Sequence, residues 1–175
     1  ASTGNGNVGV GYQAAKANTS GQSIAIGYQA MLSNTTGTRS IAIGSNAYDS
    51  SDTESDNLAI GHNAMTANTA GGQYNVAIGN YAGDAITSGD NNVFVGYQAA
   101  SAITTGGNNT AVGWRALLVG VAANNCSIFG YMAGDAVTSA EGATLLGAGA
   151  GQSVTSATST TCIGYNSGSS ISTGA

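Results

Sequence analysis

The chain has 175 residues, of which 28 are glycine, none is proline and only 6% are charged, whereas ordinary globular domains carry about 25% charged residues and about 7% glycine. A 42% apolar content and a net charge of −5 exclude the disordered class, which is less apolar and more highly charged. Three basic residues are too few to neutralise nucleic-acid phosphates, and no apolar run approaches the roughly 18 residues of a membrane helix. We therefore expect neither a nucleic-acid partner nor membrane insertion of this segment.

One short motif recurs along the whole chain: an apolar triplet, a glycine, two variable residues and a small residue, as at 76–82. Its spacing of 16 to 18 residues is shorter than that of helical repeats, which run above about 30 residues. We predict an all-β fold, a parallel β-roll of about ten coils, with 1–175 forming a single repeat array. The reference glycines, one in each coil, are Gly11, Gly27, Gly44, Gly61, Gly79, Gly96, Gly113, Gly130, Gly147 and Gly164.

Each triplet is apolar on both faces of the predicted strand. Side chains alternate along a strand, so Val76 and Ile78 share one face and Ala77 occupies the other. A strand that is apolar on both faces is typically buried on both. The roll interior covers one face, and something else must cover the other.

The rest of each unit is predicted to hold a second strand and two turns. The second strand lies six to nine residues past the reference glycine, as at 85–88 and 136–139, and Gly or Asn residues such as Asn91 and Asn108 provide left-handed turn conformations. The seventh position is Asn or Ser in the first four coils and aliphatic later, with Gly120 as an exception. We expect two subtypes of one array: early coils that stack amides and later coils that point aliphatic residues inward.

A threonine row occupies the eighth position past the glycine. It indicates either simple β-propensity, with hydroxyls in solvent, or a flat hydroxyl lattice that binds ice or sugar. The row consists of Thr19, Thr35, Thr69, Thr87, Thr104, Thr138 and Thr155.

Catalytic and metal-binding signals are weak. His62 is the only histidine and is expected in a surface turn, so we predict no catalytic residues, no cofactor and no enzyme activity. Asp49, Asp52, Glu54 and Asp56 form the one acidic cluster, but its spacing lacks the glycine and the glutamate of an EF-hand loop. A solvated turn is favoured over a calcium site.

Two further features concern cysteine and aromatic residues. Cys126 and Cys162 lie two coils apart, near 10 Å at about 4.8 Å per strand, which predicts buried free thiols rather than a disulfide, whose Cα atoms lie within about 7 Å. Aromatic residues follow several reference glycines directly and form either a ligand surface for sugar faces or a packing surface between chains. The candidate ligand surface is Tyr28, Tyr97, Trp114 and Tyr131.

The segments 22–30 (Gln-Ser-Ile-Ala-Ile-Gly-Tyr-Gln-Ala) and 92–99 (Asn-Val-Phe-Val-Gly-Tyr-Gln-Ala) resemble the head repeats of YadA-like trimeric autotransporter adhesins. They are also similar to repeat regions of phage tail fibres. The resemblance implies a left-handed parallel β-roll, three chains side by side, and a task in adhesion or receptor binding.

Combined with the doubly apolar strand, the resemblance suggests which residues fill the roll and which meet the other chains. The expected roll core is Ile24, Ile26, Ile41, Ile43, Ile60, Val76, Ile78, Val93, Val95, Val112 and Ile163. The expected oligomer interface is Ala25, Ala42, Ala59, Ala77, Phe94, Ala111, Ile128, Leu145 and Cys162.

The sequence thus favours a non-enzymatic fibre segment, extracellular, on a cell surface or on a virion, that acts in structure and surface attachment. Its partners would be further copies of itself and a cell-surface glycan or protein receptor. The alternatives are a filament of subunits stacked end to end and an ice-binding solenoid that uses the threonine row. Residues 1–4 match 171–174 in register, so we expect either a section of a longer chain or subunits that stack end to end.

Overall fold

A computed structural model describes residues 5–68 and 71–172. Over these residues the chain is an all-β parallel β-solenoid of about nine turns, and the described part contains no helix. The strands are β1 (Val8–Val10), β2 (Ile24–Ile26), β3 (Ile41–Ile43), β4 (Leu58–Ile60), β5 (Val76–Ile78), β6 (Val93–Val95), β7 (Thr110–Val112), β8 (Ser127–Phe129), β9 (Ser139–Glu141), β10 (Thr144–Leu146), β11 (Ser156–Thr158) and β12 (Thr161–Ile163).

Ten of these strands stack into one parallel sheet in the order β1-β2-β3-β4-β5-β6-β7-β8-β10-β12, and β9 pairs with β11 separately. The register places equivalent motif positions on one another, so that Ala77 lies between Ala59 and Phe94. Because every strand keeps this register, each motif position becomes a row that runs along the solenoid. The predicted match between the chain ends lies largely outside the described residues.

The predicted assignment of the two strand faces is wrong, and the two faces exchange roles. The middle residue of each triplet points into the roll, and the outer two point away from it. The expected interface residues are all buried within the single chain: Ala25, Ala42, Ala59, Ala77, Phe94, Ala111, Ile128, Leu145 and Cys162. None of the expected core residues is buried: Ile24, Ile26, Ile41, Ile43, Ile60, Val76, Ile78, Val93, Val95, Val112 and Ile163 are half-buried or exposed.

The small size of the roll interior explains this exchange. The interior must also accept a side chain from the turns, such as Met31, Tyr48 or Leu117, each of which is fully buried. Close packing leaves no room for two β-branched residues per strand beside them. The strand therefore contributes one residue, alanine in half of the ten triplets, and turns its other two residues outward.

The predicted second strand is wrong for most coils. Residues 85–88 turn and bend without forming a strand, and strand pairing past the glycine occurs among the described residues only between β9 and β11, beside one isolated bridge from Asn124 to Glu141. A succession of turns follows each reference glycine instead, as shown by the bonds that Ala14 N–H donates to Gly11 C=O (3.4 Å) and Lys16 N–H donates to Gln13 C=O (3.3 Å). The interior direction of Ile86 and Val137, which are fully buried, is confirmed.

Left-handed backbone recurs at fixed places in these turns. The second and fourth residues past the glycine have positive φ even when they carry side chains, for example Gln98 (φ 55°) and Ala100 (φ 51°). The predicted left-handed turns are confirmed at Asn91 and Asn108, both with φ 58°. The reference glycines form a column in which a Cβ on Gly79 would overlap the carbonyl group of Gly96, so no other residue fits there.

Buried amides tie successive coils together. At the seventh position Asn18 Nδ2 donates to Asn34 Oδ1 (3.1 Å), which confirms the predicted amide stacking in the early coils. A second amide row lies four residues before the reference glycine, where Asn92 Oδ1 accepts from both N–H (2.9 Å) and Nδ2 (3.1 Å) of Asn109. These bonds satisfy polar groups that would otherwise be costly to bury.

The two cysteines are free and buried, as predicted. Cys126 occupies the position at which the second amide row ends, and its N–H donates to Asn109 Oδ1 (3.0 Å). Its thiol lies 3.1 Å from the Asn124 carbonyl oxygen, and burial raises the pKa of the Cys126 thiol.

Candidate functional site

The outward residues of the ten stacked strands form a continuous apolar face. Two side chains per strand point outward, and neither row contains a charged residue. Ile26 is 37% exposed and Leu146 48% exposed, although both would be expected in a core. Nine strand spacings of about 4.8 Å give the face a length of about 43 Å.

The composition of this face changes at β7. In β1 to β6 both outward rows are Val, Ile or Leu, whereas from Thr110 onward the first row becomes Thr or Ser. The second row stays apolar and ends with Phe129, Leu146 and Ile163. The face is therefore doubly aliphatic over its first six strands and half hydroxylated over its last four.

Aromatic residues form a stacked ladder beside this face. Tyr97 stacks on Trp114 with ring centroids 6.3 Å apart, and Trp114 stacks on Tyr131 at 5.0 Å. The fold builds the ladder because the residue after each reference glycine lies above its equivalent in the previous coil: Met132 N–H donates to the Trp114 carbonyl (2.9 Å). Repetition of one residue type at one coil position thus produces rings that touch face to face.

The ladder continues towards the N-terminus by edge contacts. Tyr81 meets Tyr97 at an interplanar angle of 80° and His62 at 86°. His62, predicted in a surface turn, is exposed. The link through Tyr81 was not predicted, because Tyr81 stands one residue later in its coil than the other rings.

The structure separates the predicted ligand surface into two groups. It brings Tyr97, Trp114 and Tyr131 together, but places Tyr28 in another stack with Tyr12 (5.4 Å). Within each stack the ring faces that meet are covered by the neighbouring ring, and only the outer faces of the terminal rings are left without a stacked neighbour. A sugar stacks on an aromatic face, and an unobstructed face is therefore found only where a stack ends.

Arg115 supports the centre of the ladder. Its guanidinium carbon lies 5.1 Å from the centre of the Trp114 ring, and its Nε lies 3.3 Å from Asp135 Oδ1. Burial raises the pKa of Asp135, and the charge of Arg115 partly opposes that rise. Because Arg115 already has an anionic partner, this edge offers no free cation to an anionic ligand.

The threonine row is bonded to the backbone. Thr87 Oγ1 donates to the Thr104 carbonyl (3.0 Å), and Thr138 Oγ1 donates to the Thr155 carbonyl (2.9 Å). Each hydroxyl proton therefore points along the solenoid rather than into solvent. Thr69 of this row lies outside the described residues.

The acidic cluster is divided among different contacts. Asp56 forms a two-point ion pair with Arg39 (both N–O distances 2.6 Å), which lowers the pKa of Asp56. Glu54 is buried and accepts from the N–H groups of Asp52 (3.0 Å) and Gly71 (2.9 Å). Among residues 5–68 and 71–172, no three His, Cys, Asp or Glu side chains come together as a metal site.

Asp84 is a partly buried carboxyl in the solenoid wall. Its Oδ1 is enclosed without a hydrogen-bond partner, and burial raises its pKa to about 6. Burial also raises the pKa of Asp49, which occupies the same coil position. These carboxyls belong to the turns that follow the reference glycines.

No family model matches the chain, and no curated protein or solved structure proved similar to it. A search of the described residues for a helix long and apolar enough to cross a membrane found none. The two surfaces that bear on function are therefore the apolar strand face and the aromatic ladder.

Proposed function

We propose that this chain is a segment of a homotrimeric, non-enzymatic fibre that projects from a virion or a cell surface and serves in structure and attachment. The observation that supports the proposal is the charge-free apolar strand face, about 43 Å long. Soluble monomers rarely expose apolar patches larger than a few hundred Å². A second and third copy of the same chain would cover this face.

In this proposal the solenoid is left-handed, its coils have 16 to 18 residues, and three copies lie side by side. Handedness and copy number follow from the resemblance to YadA-like head repeats. The contacts differ from those predicted from sequence, because Val76 and Ile78, rather than Ala77, face the neighbouring chains. The aromatic ladder lies at the rim of this interface and remains accessible to a ligand.

The test compares two neighbouring residues on opposite faces of one strand. Ile78→Asp places a charge on the outward face and is expected to leave folded monomers of 16.9 kDa, while the native chain scatters light as three times that mass. Ala77→Asp places the charge inside the roll and is expected to abolish cooperative unfolding, because an unpaired charge would be buried.

Thr104→Asp is the matched control, since the same coil position holds an aspartate, Asp52, in another coil. It is expected to keep both mass and melting midpoint. A native chain that is monomeric at micromolar concentration would refute trimer formation. An Ile78→Asp variant with the native mass would show that the strand face is not the interface.

A further inference from the structure

The aromatic ladder is interrupted at Ala148. The residue after the reference glycine is Tyr131 in one coil, Ala148 in the next and Tyr165 in the coil after that. Backbone bonds keep these positions aligned: Gly149 N–H donates to the Tyr131 carbonyl (2.8 Å), and Asn166 N–H donates to the Ala148 carbonyl (2.9 Å). A gap of one missing ring therefore lies between two tyrosines.

The gap is wider than the stacking distance in the ladder. Two coil spacings of about 4.8 Å separate the positions of Tyr131 and Tyr165 by about 9.6 Å, compared with 5.0 Å between the centroids of Trp114 and Tyr131. Trp114 covers one face of Tyr131, and on the other side the row holds only the Ala148 methyl group. Tyr131 is 56% exposed and Tyr165 81% exposed.

The floor of the gap is small and uncharged. Gly147, Ala148 and Gly149 follow one another there, so little side-chain volume enters the gap. The Asn166 carboxamide lies directly beside Gly149, where a Cβ would overlap its Oδ1. We call the space between Tyr131 and Tyr165, with Ala148 and Gly149 as its floor and Asn166 at its side, the Ala148 slot.

We propose that the Ala148 slot binds one uncharged pyranose ring, and specifically a β-glucosyl unit of a glycan. A flat ring in contact with both walls would need a separation of only about 7 to 8 Å, at about 3.5–4.0 Å per contact. A saturated sugar ring is thicker, because axial C–H bonds project from both of its faces. The gap of about 9.6 Å suits that thicker ring.

The chemistry of the slot selects among sugars. In a β-glucosyl ring every hydroxyl is equatorial, so both faces present C–H groups to the tyrosines while the hydroxyls point sideways towards Asn166 and solvent. A galactosyl ring carries one axial hydroxyl, which would spoil one of the two contacts. An acidic sugar is disfavoured because the chain is acidic overall, with a net charge of −5, and Arg115 is already paired with Asp135.

A second gap in the aromatic row lacks one of these features and serves as an internal comparison. Ser45 lies between Tyr28 and His62 in the same row. One wall of that gap is the imidazole of His62, a smaller ring that offers less contact area than the tyrosines on both sides of the Ala148 slot. We therefore assign the sugar to the Ala148 slot and not to the Ser45 gap.

The probe is cellohexaose, a chain of β-linked glucosyl units, titrated into the full chain by calorimetry and followed by saturation-transfer NMR. Binding is expected, with saturation reaching the axial hydrogens on both faces of a glucosyl ring. A β-linked galactose oligomer of the same length is expected to bind at least about tenfold more weakly, a difference of about 1.4 kcal/mol. Equal binding of the two oligomers, or no binding of cellohexaose, would overturn the proposal.

The decisive variant, Ala148→Tyr, fills the slot with a residue that the neighbouring coils already carry at that position. It should preserve the fold and weaken cellohexaose binding at least about tenfold. Ser45→Tyr fills the other gap and is expected to leave binding unchanged. Native binding by Ala148→Tyr, or loss of binding in Ser45→Tyr, would show that the sugar lies elsewhere.

This inference rests on the attachment role proposed above, yet the two fail separately. Light scattering measures the mass of the assembly, whereas calorimetry with cellohexaose measures binding at the slot. A trimer that binds no cellohexaose refutes the slot alone. A monomer that binds cellohexaose, with loss in Ala148→Tyr, refutes trimer formation alone.

Discussion

The interior of the solenoid is filled in two different ways, and the change falls between Asn68 and Gly83. Before it, a large side chain enters the second, third and fourth coils from the fourth residue past the reference glycine: Met31, Tyr48 and Met65. Beyond it, that position is Gly or Ala in most coils, and an aliphatic side chain enters from the seventh residue instead. These aliphatic residues are Ile86, Ile103, Val137 and Val154, all fully buried.

One coil of the second region shows that the side-chain volumes at the fourth and seventh positions compensate each other within a single coil. Leu117 occupies the fourth position there, and Gly120 occupies the seventh. A Cβ on Gly120 would come within 2.6 Å of Leu117 Cδ1, so the large residue at one position requires the small residue at the other. The two regions are thus alternative solutions to one volume constraint, which follows from close packing of the interior.

The polar groups of the interior also change between the regions. Early coils carry amides at the seventh position, and Tyr48 completes their polar interior through its hydroxyl, which accepts from Asn57 Nδ2 (2.6 Å). From Asn57 onward the amides run along the row four residues before the glycine, and the seventh position becomes aliphatic. The two amide rows together run from Asn18 to Asn109, and the second row stops at Cys126.

The largest expected effect comes from exchanging the two packing solutions at one place. Phe94→Ala should cost about 3–5 kcal/mol of unfolding free energy, because it leaves a cavity beside Gly83, which has no side chain to fill it. Gly83→Met should also destabilise, since a Cβ there would lie 2.7 Å from Phe94 Cδ2. The double variant, Phe94→Ala with Gly83→Met, has the residue types of an early coil at both positions. It is expected to be more stable than the sum of the two single effects predicts.

Chemical denaturation of the four proteins in this cycle measures the coupling. Val121→Ala, a truncation on the exposed surface (48% exposed), is the control and should stay within about 0.5 kcal/mol of the native chain. If the changes in unfolding free energy of Phe94→Ala and Gly83→Met are strictly additive, the side chains at these two positions do not compensate for each other's volume.

The amide row gives the next largest effect. Asn92→Ala removes the oxygen that accepts from both N–H and Nδ2 of Asn109, and each buried donor left without its partner costs about 1–3 kcal/mol. Asn91→Gly is the matched control, because Asn91 is exposed and its φ of 58° suits glycine. If both variants melt at the same temperature, the buried row contributes nothing beyond turn formation.

The repeat spacing was enough to predict the solenoid, and the alternation of each triplet was enough to predict two distinct strand faces. The direction of those faces was not predictable in the same way, because Val76, Ala77 and Ile78 are all apolar and each face satisfies the same pattern. Which strand face points inward depends on the volume of the side chains that the turns place in the interior. The sequence does contain evidence of this volume constraint, because a large residue at the fourth position, Leu117, accompanies a small one at the seventh, Gly120.

The amide row before the glycine was missed for a different reason. Asn residues in pairs such as Asn91-Asn92 are typical of turns, and the first member of the pair does adopt the left-handed turn conformation. The second member is buried and bonded to the next coil. Comparison of the same position in Asn57, Asn75, Asn92 and Asn109 would have revealed a row with constant chemistry, in contrast to the variable residues beside it.

A smaller, stabilising effect is expected where the amide row stops. Cys126→Asn should extend the row by one coil, because Asn109 Nδ2 already reaches the Ala123 carbonyl (2.7 Å) and the equivalent carbonyl one coil later belongs to Ala140. The gain is expected to be about 1 kcal/mol, the value of one added hydrogen bond. Cys126→Ser, too short to span the coils, should leave the denaturation midpoint unchanged, whereas a destabilised Cys126→Asn would show that this coil has no room for the amide.

The smallest effect concerns Asp84, just past the change between the two regions. Burial raises the pKa of this carboxyl from 3.8 to about 6, so between these values the folded chain binds more protons than the unfolded chain. Stability therefore falls as the pH rises through this window. Asp84→Asn removes the titrating group and should raise the melting temperature near about pH 7 by more than it does near about pH 4. Ser101→Ala, at the same position one coil later, is the control and should shift the melting temperature equally at the two pH values. An equal shift in Asp84→Asn would mean that this carboxyl is no more buried when folded than when unfolded.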